Sequence, residues 1–207
     1  MNTTLDTKAL NQKALDQKAL NQLFTEARTF NAFTDKAVPD ELIKQLYELM
    51  KWAPTSMNCQ PGYYLVVKSA DAKEKLNKAL APGNQQKSLA APASVIIASD
   101  TQFYNNLPKQ FPAYPTAKDM FENNESFRDT TAFRNSSLQG AYFIMAARSL
   151  GLDCGPMSGF DNKVVDDTFF PEGRYKSNFI INIGYGDATK NYPRGPRLAF
   201  EDVVKIL

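Results

Sequence analysis

Residues 51–61 read Lys-Trp-Ala-Pro-Thr-Ser-Met-Asn-Cys-Gln-Pro, and no other stretch constrains the fold as tightly. Pro54 lacks an amide hydrogen and ends the helical pattern that precedes it, while Pro61 disfavours helical geometry at Gln60 and biases it toward an extended backbone. The stretch therefore predicts a helix, a polar loop and a strand, in that order. Thr55, Ser56, Asn58 and Gln60 offer short donors and acceptors, on a backbone expected to leave its amides outside regular structure. Such a loop suits a planar ligand with hydrogen-bonding edges and a polar tail; an ordinary helix-to-strand turn has the same composition.

The flanking pattern predicts a helix over 39–52. Pro39 suits its first turn, Asp40 and Glu41 its positive end, and Leu42, Ile43, Leu46, Leu49 and Met50 form one apolar stripe. A buried strand is expected at 63–67, then a helix from Ala70 to Leu80 ending at Pro82-Gly83, and a strand at 93–99. A long helix at 131–150 is expected to turn Phe133, Leu138, Ala141, Tyr142, Met145 and Leu150 inward and to stop at Gly151. In it, small Gly140, Ala141, Ala146 and Ala147 would permit close approach by another helix. A glycine turn at 155–159, a helix from Asp161, a strand at 179–185 and a short helix from about Ala199 to Ile206 complete the reading. From 101 to 130 three prolines interleave with six aromatics without periodicity, which predicts either a lid over a ligand or aromatic packing against a partner subunit. Periodicity supplies alternating helices and strands and no finer fold class.

Residues 8–22 are three near-copies of Lys-Ala-Leu-Asn-Gln. A five-residue step turns a helix by about 140°, so Leu10, Leu15 and Leu20 cannot share a face. Residues 1–18 are expected to be weakly ordered, with Leu20, Leu23 and Phe24 docking as the first real helix of a single domain spanning 19–207.

A chain of 207 residues with net charge +2 has neither the field for nucleic acid nor a run of about 18 apolar residues for a membrane span. A small-molecule partner is expected. Cys59 and Cys154 fit no disulfide or metal spacing and read as free thiols, and no signal-peptide layout is present, so a cytoplasmic protein is expected. The chain has no histidine, which removes histidine-dependent nucleophile triads, zinc motifs and the usual proton shuttle near neutral pH. Reactivity would then fall to a bound organic cofactor.

Four motifs in order resemble the nitroreductase family. They are Ala-Arg-Thr-Phe-Asn-Ala-Phe (27–33), where that family usually reads Arg-Arg-Ser-x-Arg-x-Phe; the 51–61 stretch; Gly-Pro-Met-Ser-Gly-Phe-Asp (155–161); and Pro-Arg-Leu-Ala-Phe-Glu-Asp-Val-Val (196–204). The resemblance covers about residues 20–207. It implies an α+β fold, a mixed, mostly antiparallel sheet of four or five strands wrapped by helices, in an intertwined homodimer with FMN at the subunit interface. In that reading Arg28, Thr29, Arg194 and Arg197 hold the flavin phosphate, and Asn31 lies near the ribityl chain or ring edge. Pro54, Thr55, Ser56 and Asn58 form the loop against the ring. Asn84 and Lys87 meet its pyrimidine edge, and Pro156, Met157, Ser158 and Gly159 cross one face, with a backbone N–H directed at N5. The residues themselves leave simpler readings open: Arg28 as a surface cation, Lys87 as a solvated helix lysine.

No side chain is expected to be catalytic; the flavin would take a hydride from NADH or NADPH and pass it to an acceptor. Within the family the motifs look most like the malonic semialdehyde reductase branch, which implies reduction of malonic semialdehyde to 3-hydroxypropanoate in pyrimidine breakdown. A general nitro-, quinone- or enone-reductase, and a flavin-binding module without fast turnover, are the alternatives.

Overall fold

The computed structural model describes residues 14–207. For residues 1–13, the expectation of weak order lies outside the described residues. The first helix, α1 (Gln17–Leu20), is capped by Asp16, whose carboxylate accepts the Ala19 N–H at 2.7 Å. It runs into a wider π-helical turn, Asn21–Thr25, in which Leu23 is half-buried and Phe24 exposed.

Helix α2 (Asp40–Met50) buries Leu46 and Met50 and leads through the 51–61 loop into strand β1 (Gly62–Val67). The expected 70–80 helix is shorter, α3 (Ala70–Asn77), because Pro82 opens a second helix, α4 (Pro82–Ala90). Proline is tolerated in a first helical turn, where its missing N–H would have no partner. Strand β2 (Ala93–Asp100) follows. Within 101–130 the chain makes a 3₁₀ turn (Phe103–Asn106), α5 (Leu107–Gln110) and α6 (Ala117–Glu122). The long helix α7 (Glu125–Ser149) starts six residues before its expected position. Then come β3 (Asp153–Met157), α8 (Asn162–Phe169), β4 (Tyr175–Gly184) and α9 (Phe200–Val203).

The strands form one sheet in the order β1-β2-β4-β3, with every pair antiparallel. The α+β architecture is as expected, with four strands; a lone parallel bridge from Thr29 to Cys154 is the only parallel pairing among the described residues. The segment 155–157, read as part of a turn, is edge strand instead. Both sheet faces are covered. Val95, Ile97, Ile181 and Ile183 pack with α2 and α7, while Ile96, Ala98 and Ile180 pack with Leu76 of α3 and Val165 of α8. That explains why the middle of β2, Val95 to Ala98, reads as an unbroken apolar run: alternation disappears when neither face meets water.

Helix α7 reverses its expected orientation. Phe133, Leu138, Ala141 and Tyr142 are exposed, Phe133 to 61%, and the buried face carries Thr131, Asn135, Ser136 and Gln139. Three of these polar side chains turn inward to meet a partner. Asn135 Oδ1 accepts the Ser56 N–H at 2.8 Å, Gln139 Oε1 accepts the Gly62 N–H at 2.8 Å, and Ser136 lies 2.8 Å from the Ser99 hydroxyl. Gly140 permits close approach of the sheet, not of a second helix: a Cβ there would lie 2.4 Å from the Phe179 ring.

A second buried polar chain crosses the sheet. Ser94 donates to Asn182 Oδ1 at 2.6 Å, Asn182 Nδ2 donates to Ser88 at 3.1 Å, and the Ser88 hydroxyl reaches the Met157 sulfur at 3.6 Å. It fastens α4 and β3 to the central strands. Asn182→Ala should leave both serines unpaired in the core and lower the unfolding free energy by about 2–4 kcal/mol, read as a lower urea midpoint at unchanged slope.

Candidate active site: an arginine cavity, a glycine strand and a left-handed loop

Three groups of expected site residues are distinct in the structure. The first is a polar cavity of about 370 Å³ lined by Phe24, Ala27, Arg28, Thr29, Arg148, Arg194, Gly195 and Arg197. It brings together all four residues expected to hold a phosphate and adds Arg148. Three of the guanidinium groups are oriented by chain carbonyls: Arg28 donates to Tyr192 O, Arg194 to Ala27 O at 3.0 Å, and Arg197 to Gly195 and Pro196 O at 3.1 Å each. A carbonyl aims such a fork without neutralising it, so the cavity presents positive charge with no carboxylate among its lining residues.

The second group lies along β3. The Phe30 N–H donates to Cys154 O at 3.0 Å and Thr29 bridges Cys154, so the segment carrying Arg28 and Thr29 runs beside the edge strand. Asn31 lies on this segment, half-buried. At the far end, Asn84 Nδ2 donates to Gly159 O at 2.8 Å, and Ser158 and Gly159 are exposed. Lys87 sits one turn from Asn84 on α4, half-buried, and burial pushes its ammonium below the usual lysine range. A desolvated cation of this kind gains from negative charge placed beside it. At about 3.3 Å per residue, the run from Cys154 to Gly159 separates arginine cavity from Lys87 end by about 15 Å.

Side chains and close contacts along this strand are directed at the protein. Met157 turns its side chain into the core against Ser88, leaving only its backbone for a ligand. Gly155 makes its close approach to protein, since a Cβ there would lie 2.5 Å from Phe30 O, and a Cβ on Gly159 would lie 2.7 Å from Asn84 Nδ2.

The third group is the 54–60 loop. Met57, Asn58 and Gln60 have φ of 51°, 51° and 41°, the only non-glycine residues in the left-handed region among those described. Gln60 is thus not extended as expected; Pro61 forbids the right-handed well, and hydrogen bonds hold the left-handed one. The Gln60 N–H donates to Thr55 Oγ1 at 3.2 Å and its side chain to Asn58 Oδ1 at 2.8 Å. Nor are the amides free: Ser56, Asn58 and Cys59 all donate within the protein. Asn58 Nδ2 reaches Gln110 O at 3.0 Å, joining the loop to the 103–122 segment, whose Phe103, Leu107, Ala117 and Phe121 pack with Cys59. Strain of this density is characteristic of functional loops. Pro54, Ser56 and Asn58 remain exposed.

One chain does not unite this loop with the arginine cavity. The loop is anchored at Asn135 and the cavity is lined by Arg148, 13 residues further along α7, about 20 Å at the helical rise of 1.5 Å per residue.

Sequence reasoning missed Arg148. Its signal is positional: it occupies the last turn of α7, three residues before Gly151, whose φ of 75° ends the helix. Thiol chemistry finds no support, since burial pushes Cys59 up to about 11 and Cys154 up to about 12.

Comparisons with known proteins bear on the family and the fold. The nitroreductase family model matches residues 25–185. The chain is 56% identical over 188 residues to a Rhodopseudomonas palustris protein provisionally named an NADH dehydrogenase/NAD(P)H nitroreductase, covering 89% of this chain and 94% of that one. A provisionally named Bacillus subtilis nitroreductase structure superposes with TM-score 0.84 at 26% identity, covering 93% of this chain and all of the other. A provisionally named nitroreductase from Exiguobacterium sibiricum, solved in complex with FMN, superposes at 0.82 with 21% identity over 95% of this chain and 99% of that one. With a sheet, a matched segment and motifs that agree from residue 25 to 185, the chain belongs to the nitroreductase family.

Proposed function

We propose that this chain is an FMN-dependent NAD(P)H oxidoreductase whose acceptor is malonic semialdehyde, reduced to 3-hydroxypropanoate. The observation that carries the flavin reading is the arginine cavity at one end of edge strand β3, with exposed Ser158 and Gly159 and a desolvated lysine at the other. That spacing matches a ligand with a phosphate tail and a flat polar head. The FMN complex of the structural neighbour and the NAD(P)H named for the close relative support the cofactor and the hydride donor. When bound, the flavin supplies two-electron transfer between a nicotinamide and the acceptor.

This chain's residues have narrower tasks. Arg28, Arg194 and Arg197 hold the phosphate with Thr29 beside them, and Ser158 and Gly159 present backbone to the ring. Lys87 stabilises negative charge at the pyrimidine edge. The 54–58 loop reaches a flavin held by a second copy, which is why it is separated from the cavity within one chain. The outward apolar stripe of α7, with Trp52 exposed to 78%, gives that second copy a surface to cover. Malonic semialdehyde is supported by the likeness of the 51–61 and 155–161 stretches to the branch that reduces it.

The test is anaerobic. Purified protein should be yellow, bleach with NADH or NADPH, and recolour faster with malonic semialdehyde than with a quinone or a nitroarene. Faster recolouring by the quinone or nitroarene would make the protein a general reductase, and colour that does not bleach would make it a passive carrier.

A further inference from the structure

We propose that Arg148, from the C-terminal turn of α7, is a fourth arginine on the flavin phosphate, coupling the end of the longest helix to recognition of the phosphorylated cofactor. This rests on the flavin reading above. Arg148 lines the same cavity as Arg28, Arg194 and Arg197, and no carboxylate is among the lining residues. Its guanidinium is half-buried, with Nη1 donating to Leu23 O at 3.0 Å, an arrangement matching the carbonyl-aimed forks opposite.

Four guanidinium groups stay charged at any working pH. Asp153, which does not line the cavity, offsets part of the Arg148 charge, while Arg28, Arg194 and Arg197 are aimed by carbonyls alone, so an unfilled cavity holds like charges together against their repulsion. A phosphate monoester relieves it, since its three terminal oxygens accept from several forks at once. Ala27 lines the cavity too, at the position where the motif that 27–33 resembles begins with arginine. Arg148 restores from α7 the cation that the first segment lacks there. Its position is set by the helix end: the Gly151 N–H closes onto Arg148 O at 3.0 Å, and Gln22 Nε2 donates to the same carbonyl at 2.6 Å.

A purely structural Arg148, fastening the first helix through Leu23, is the competing role, and the variants separate the two. Arg148→Gln keeps an amide donor for Leu23 O but removes the charge; Arg148→Lys keeps the charge. Full-length apoprotein of each, with Arg28→Ala as reference, is titrated with FMN and with riboflavin by fluorescence quenching, and melted without flavin. Arg148→Gln should bind FMN about tenfold more weakly or worse, the loss of one charge-assisted hydrogen bond, with riboflavin affinity unchanged. Arg148→Lys should keep most of the FMN affinity, and the Arg148→Gln apoprotein should melt close to wild type, because the repulsion removed from the cavity offsets the lost attraction to Asp153. Parallel loss of FMN and riboflavin with a lowered melting point would assign Arg148 to structure and overturn the proposal. So would an unchanged FMN affinity in Arg148→Gln while Arg28→Ala shows a phosphate-selective loss. Should Arg28→Ala show no such loss either, the phosphate reading of the cavity fails, and this inference with it.

Discussion

Arg28→Ala and Arg197→Ala should each weaken FMN retention by about ten- to a hundredfold, and the double variant should purify colourless. Each side chain is expected to give the phosphate a charge-assisted hydrogen bond worth about 1.5–3 kcal/mol, and 1.4 kcal/mol is about tenfold in affinity. The two come from opposite ends of the chain, and their only contacts among the described hydrogen bonds are carbonyls: Tyr192 for Arg28, Gly195 and Pro196 for Arg197. Neither guanidinium is buried in the core, so alanine should alter the cavity more than the fold. Flavin absorbance per protein after dialysis gives the measurement. If both variants keep the cofactor as wild type does, the phosphate lies elsewhere.

Gly155→Ala should cost about 2–4 kcal/mol of stability and much of the flavin binding. The added Cβ would lie 2.5 Å from the Phe30 carbonyl oxygen, a backbone atom that cannot rotate away. Accommodating it must push 29–31 off the strand and break the 3.0 Å bond from the Phe30 N–H to Cys154 O, which adds overpacking strain to the loss of a buried hydrogen bond. Arg28 and Thr29 ride on that segment, so the phosphate cavity should open with it. Gly83→Ala is the control: nothing lies within 4 Å of its Cβ, and helix α4 should tolerate or gain from it. Urea unfolding and flavin titration of both variants decide the point; equal behaviour would show that the segment beside β3 yields without cost.

What was legible in the sequence divides along physical lines. Helix α2 and strands β1, β2 and β4 announced themselves because periodicity and β-branched runs record which face is buried, whereas β3, Asp-Cys-Gly-Pro-Met, has no such run and reads as a turn. The 101–130 segment hid its helices because pieces of four to six residues are too short to show a 3.6-residue period. Helix α7 misled for a different reason. Hydrophobic patterning assigns apolar residues inward, but Asn135 and Gln139 face in to bind backbone donors at Ser56 and Gly62, leaving the apolar stripe outside. The arginines at 28, 194 and 197 came from motifs, and geometry then united them in one cavity. Arg148 belongs to none of those motifs, and only the fold brings it there.

The left-handed residues at 57, 58 and 60 have one more implication. Fixing a residue's backbone costs about 1–2 kcal/mol of conformational entropy, and in this loop that cost is met when the chain folds, by the bonds among Thr55, Asn58 and Gln60 and the anchor at Asn135. A ligand arriving at the loop finds its shape already set. None of the contact energy is then spent on ordering the loop, and a molecule of the wrong outline meets a surface that will not remould itself to receive it.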